Sequence, residues 1–154
     1  IPGRPFNSAI STLGVRDFSS WPPLESVEKY PLFVPRLDED GNSMAGVVIP
    51  EGVIPLATMG KAIRGPGFSE GELCSANGSW LPFPRTKSDR LAAGDSRLSI
   101  QERYPDGLQD YAEKYGRAVE MLMSSRYLLP EDGAMFKSLV DSGAGAGASE
   151  SGLR

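Results

Sequence analysis

Apolar positions change their rhythm along this chain, and the changes divide it. Over residues 1–31 the side chains Phe6, Ile10, Leu13, Val15, Phe18 and Trp21 follow no helical period, and Pro2, Pro5, Pro22, Pro23 and Pro31 interrupt them. Proline lacks a backbone donor and fixes φ, so the pattern predicts an extended lead-in rather than a long helix or central strand. A disordered linker carries fewer apolar residues, so the segment reads as one laid along a larger surface. Over 32–58 two apolar runs, 32–37 and 45–50, flank Asp38-Glu39-Asp40-Gly41-Asn42. An Asp-Gly pair between such runs predicts a β-hairpin, because glycine takes positive φ without steric cost. The run 53–58 either extends that sheet or forms a loop.

Residues 59–85 lose all period. Gly60, Gly65, Pro66, Gly67, Gly71, Gly78, Pro82 and Pro84 predict a loop, with Trp80, Leu81 and Phe83 as a plug for a neighbouring groove. From 86 to 142 the pattern is helical. Thr86 to Asp89 reads as a helix start, with Gly94 at its stop. Ser99-Ile100-Gln101-Glu102 reads as a capping box. Asp106 reads as the cap of the longest helix, from 107 or 108 to 128, with apolar spacings of three and four from Leu108 to Met123. Pro130, Glu131 and Asp132 suit the first turn of a last helix. Residues 143–154, rich in Gly and Ala, read as a flexible tail. The fold class expected is therefore α+β and irregular: lead-in, hairpin, long loops, then two to four C-terminal helices.

Composition narrows the picture. The 154 residues include 18 glycines and 13 prolines, about a fifth of the chain against about 12% on average. The net charge of −4 gives no electrostatic reason to expect nucleic acid as a partner. No apolar stretch reaches the roughly 20 residues that span a bilayer. The chain begins at Ile1, which suggests a processed product or an excerpt. Cys74 is the single cysteine, so no internal disulfide forms, and the compartment stays open. Asn77-Gly78-Ser79 fits a glycosylation sequon that is common by chance.

The chemistry is bounded mainly by one number: there is no histidine. Ser-His-Asp and Cys-His catalysis cannot be assembled from these residues, nor can histidine-based zinc sites. Asp38 and Asp40 alternate like calcium ligands, but Gly41 comes too early and Ile49 stands where an acid is needed, so the turn reads as solvated. The carboxylate pairs Asp38 with Asp40, Glu70 with Glu72 and Glu131 with Asp132 all occupy turns or helix starts, where acids have ordinary structural roles. Gly65-Pro66-Gly67 lacks the rest of a dinucleotide or P-loop fingerprint. Arg85, Lys87 and Arg90 read as a solvated helix start, and Glu113 with Arg117 as an exposed pair. No catalytic, cofactor-binding or metal-ligating residue is nominated, and no cofactor is expected. Trp21, Trp80 and Phe83 are the candidate packing or interaction surface.

A series of motifs does resemble one family. Residues 30–42, from Tyr30 to Asn42, are followed by Ala45-Gly46-Val47, by 53–58 and by Gly78-Ser79-Trp80-Leu81-Pro82-Phe83. Arg85-Thr86, 94–104 and Leu128-Leu129-Pro130-Glu131-Asp132 complete the series. In this order and spacing they resemble the C-terminal region of large bacterial proteins called alpha/beta hydrolase domain-containing, over about residues 30 to 142. After Thr58 the chain departs from that pattern. The resemblance implies a hydrolase-like core, with any Gly-x-Ser-x-Gly elbow and catalytic histidine, lying N-terminal to this region. It therefore implies an accessory subdomain of a protein hydrolysing esters or related acyl compounds, inert alone. The implied partner is that core or another protein surface, with no nucleic acid and no membrane span. The alternative is a free-standing protein-interaction module without enzymatic activity.

Overall fold

A computed structural model describes residues 14–30, 35–60, 63–72 and 78–142. Leu32 to Val34, Cys74, Asn77 and the 143–154 tail lie outside the described residues, as do residues 1–13. The described residues form an irregular α+β fold with two small antiparallel sheets and five helices. β1 (Gly14–Asp17) pairs with β2 (Leu24–Lys29), so part of the lead-in is itself a hairpin. Arg16 stands opposite Glu25 there, and the register slips between Gly14 and Arg16.

Among the described residues, the hairpin expected around Asp38–Asn42 is reduced to its turn. Asp38 Oδ1 accepts from the Asp40 and Asn42 amides, and a single bridge joins Leu37 to Ser43. Instead of the second strand the chain bends, with Gly46 at φ +77°, and enters α1 (Pro50–Val53). Pro50 explains the change: its missing N–H costs nothing at the first helical position but breaks a strand ladder.

β3 (Ala57–Gly60) instead pairs with β4 (Ser79–Pro82), inside the stretch expected to be loop. The register sets Thr58 opposite Leu81 and Met59 opposite Trp80. Asn42, buried, completes the outer edge of β3 with its side chain. Its Nδ2 donates to Ala57 O (3.2 Å) and its Oδ1 accepts from Met59 N (2.7 Å). One amide thus satisfies two strand groups. Asn42→Ala leaves both without their partner, and the expected cost is about 1–3 kcal/mol, read as a lower urea midpoint at unchanged slope.

The helices follow their sequence signals closely at two sites. α2 (Lys87–Ala93) is capped by Thr86, which accepts from Asp89 N while the Asp89 carboxylate accepts from Thr86 N; Gly94 ends it at φ +65°. α3 (Ile100–Arg103) carries the Ser99–Glu102 capping box. α4 (Leu108–Ser124) differs from expectation: Gly107, not Asp106, is its N-cap, and it ends four residues early. Gly107 sits at φ +65° with ψ −135°, which glycine reaches without the steric penalty a side chain brings. α5 (Pro130–Asp141) begins with proline at N1. It lies close to α4 because Gly133 has no side chain; a Cβ there would sit 3.1 Å from Met123 Cγ and 3.3 Å from Val119 Cγ1.

The core joins these parts. Leu56, Phe83, Ile100, Tyr104, Tyr111, Tyr115, Val119 and Val140 form one buried cluster. Tyr104 and Tyr111 meet edge to face at 5.2 Å, and Tyr104 OH donates to Pro55 O (2.8 Å).

Candidate functional site

Period-two alternation in β4 and its extension decides where the plug residues point. Leu81 and Phe83 turn inward and are buried, while Trp80 turns outward and is partly exposed. Phe83 packs under two guanidinium groups, with Arg103 Cζ 4.2 Å and Arg97 Cζ 5.2 Å from its ring centre. Of the three nominated aromatics, Trp21 and Trp80 therefore reach solvent and Phe83 does not. Trp21 lies in the β1–β2 connection, and Trp80 in the other sheet, on β4.

The densest polar cluster was not nominated by the sequence. Arg97, almost fully buried, grips Asp95 with its Nε and Nη2 (3.0 and 2.7 Å). Its Nη1 donates to Thr58 Oγ1 (2.9 Å) and to Leu81 O (3.0 Å), and Nη2 also reaches Pro82 O (3.3 Å). Thr58 Oγ1 in turn donates to Asp40 O. The Arg97 hydrogen bonds hold the Asp95 carboxyl below the usual carboxylate range. Arg103 pairs with Asp40 and donates to Leu98 O (3.1 Å). This cluster ties the 95–103 segment to β3, β4 and the Asp38–Asn42 turn.

A third ion pair joins α2 to α3. Arg90 binds both oxygens of Glu102, at 2.7 and 3.0 Å. That pairing, together with the Ser99 amide and hydroxyl, lowers the Glu102 carboxyl to about 2. A depressed carboxylate stabilises the fold above its unfolded value near 4.5, and the contribution fades as pH falls from there toward about 2. The melting temperature is expected to fall over that window, and to fall less steeply in Glu102→Gln, whose neutral amide has no such titration. Thermal melts of both proteins from pH 7 to pH 2 test it.

The hydroxyls near carboxylates are occupied structurally. Ser99 Oγ, fully buried, donates to Glu102 Oε2 (2.7 Å) as part of the α3 cap. Tyr115 OH donates to Glu51 Oε1 (2.6 Å), and burial first, then this bond, raises its pKa. Tyr104 and Tyr111 are raised as well, chiefly by burial. Such groups remain neutral donors and are not poised as bases. Among the carboxylate pairs, Asp38 caps its own turn, Asp40 is paired, and Glu131 with Asp132 occupies the first turn of α5. Glu70 and Glu72 lie exposed on a turn. Among the described residues no group of three His, Cys, Asp or Glu side chains could hold a metal. No helix among them is long and apolar enough to cross a membrane.

One surface hollow of about 500 Å³ lies between the 46–53 segment and the C-terminal half of α4, walled by Val47, Val48, Val53, Met121, Leu122 and Tyr127. No charged residue among the described residues lines it.

Comparison with known families decides the relationship. Residues 13–138 match the family described as Alpha/beta hydrolase domain. The chain belongs to that family. The match extends the resemblance read from residues 30–142 toward the N-terminus, and takes in both strands of the β1–β2 hairpin. No curated protein and no solved structure matches the chain. In this member of the alpha/beta hydrolase domain family the two described sheets are antiparallel and two-stranded.

Proposed function

We propose that this chain is the C-terminal accessory subdomain of an alpha/beta hydrolase-like protein that cleaves esters or related acyl compounds, and that it performs no turnover alone. One observation carries the reading. A chain that belongs to a hydrolase family over 13–138 contains no histidine, the usual base of acyl hydrolysis. The geometry supports it: Ser99, Thr58 and Tyr115 each spend their hydroxyl on a structural bond. The subdomain's work is then positional. Its Arg97 cluster holds the 95–103 segment, β3, β4 and the Asp38–Asn42 turn as one block; that block presents Trp80 outward, and the β1–β2 hairpin presents Trp21. In this reading the chain divides into a lead-in (1–31), a hairpin region (32–58), a Gly/Pro-rich connecting segment (59–85) and a helical part (86–142).

The test is a panel of chromogenic esters, assayed on the 154-residue chain and on the longer polypeptide encoded by its upstream reading frame. Turnover is expected in the longer protein alone. Efficient hydrolysis by the short chain, or an upstream frame without a nucleophile elbow, defeats the proposal.

A further inference from the structure

The hollow beside α4 has an unusual edge. Beyond its C-cap Ser125 the helix closes in a left-handed turn, where Tyr127 N donates to Leu122 O and Arg126 N to Met123 O, both at 2.9 Å. That pairing returns the chain to the last turn of α4, and Leu122, Ser125 and Tyr127 all wall the hollow. Arg126, between two of those residues, takes φ +61°. Glycine usually fills such a position, because a side chain there crowds the backbone. Among the described residues the Arg126 side chain makes no ion pair or hydrogen bond, and the Ser125 hydroxyl makes none either. No contact within the fold therefore offsets the strain. The helix dipole favours a cation in this region, but Ser124 or Ser125 could carry one without left-handed backbone. A strained residue with an unused charge is a pointer to a ligand.

We propose that the hollow binds a free carboxylate carried on a hydrocarbon chain, with Arg126 and Ser125 on the carboxylate. Val47, Val53, Met121 and Leu122 then lie against the chain. Charge and polarity name the occupant. The walls are apolar and uncharged, and the volume of about 500 Å³ falls in the range of about 300–1,000 Å³ typical of ligand hollows. One guanidinium and one hydroxyl match a single carboxylate, which a planar fork grips at two points. The net charge of −4 weighs against a multiply charged anion. A membrane surface calls for a cluster of cations, and this edge offers one. Such a site needs no hydrolytic activity anywhere in the protein.

Decanoate, held below its micelle concentration, tests the site by amide NMR on the 154-residue chain, with decyltrimethylammonium as the probe of equal length and opposite charge. Decanoate should saturate one site and shift the amides of Val53, Met121 and Tyr127. The cation should bind at least about tenfold more weakly. Arg126→Gly separates ligand contact from structure, because it removes the guanidinium and relaxes the backbone. That variant should melt at or above the parent temperature, while decanoate affinity falls about tenfold or more. Met121→Glu, at an exposed wall position, should also abolish binding without lowering the melt much. Unchanged affinity in Arg126→Gly overturns the proposal whatever its melt. Equal affinity for the two probes, shifts that never saturate, or binding confined to anionic vesicles overturns it as well. Self-association that buries the Met121 and Tyr127 amides and excludes decanoate makes a second copy the occupant, and overturns it too.

Discussion

Arg97→Ala is expected to cost about 3–5 kcal/mol, the range for removing one partner of a buried ion pair. The reason is what stays behind. Asp95 remains buried with its carboxylate unpaired, and Thr58 Oγ1, Leu81 O and Pro82 O lose a donor. Domains of this size hold only about 5–15 kcal/mol in total, so the variant should unfold at much lower urea. Arg97→Lys should recover little, because one ammonium cannot reproduce a planar fork reaching four acceptors. Removing both charges tests the account further. Asp95→Ala combined with Arg97→Met should be less damaging than Arg97→Ala alone, and a strictly additive loss would show that Asp95 carries no burden in the single variant.

The second large effect is expected at Tyr111. It is among the largest fully buried side chains and touches aromatic neighbours on both sides, Tyr104 at 5.2 Å and Tyr115 at 5.7 Å between ring centres. Tyr111→Ala opens a cavity in the buried cluster beside Tyr104 and Tyr115, and the expected loss is about 3–5 kcal/mol. Tyr111→Phe keeps the ring and should retain most of the stability. Chemical denaturation of the two variants decides between ring packing and the hydroxyl: equal losses would point to the hydroxyl.

Those two residues differ in how visible they were beforehand. Tyr111 stands in a run of three- and four-residue spacings, so its burial was legible from the sequence. The caps at Thr86 and Ser99, and Pro130 at the start of α5, were legible for the same reason: each signal lies within one turn of the element it starts. Arg97 was not. Nothing local distinguishes a charged residue that grips four acceptors from one that faces water, because its partners at 58, 81 and 82 are brought near only by the β3–β4 pairing. That pairing was hidden too, since its strands are separated by a stretch dense in glycine and proline. Phe83 could have been separated from Trp80 by strict alternation once β4 was known. Asp106 was misleading because Gly107, through its unusual backbone, took the cap position instead.

The Asn42 side chain has a consequence beyond stability. A strand with an open flank invites a stranger of the same kind to zip alongside, the first step toward fibrils and precipitates. By plugging the outward carbonyl of Ala57 and amide of Met59, a single carboxamide withdraws that pair of groups on β3 from any incoming chain.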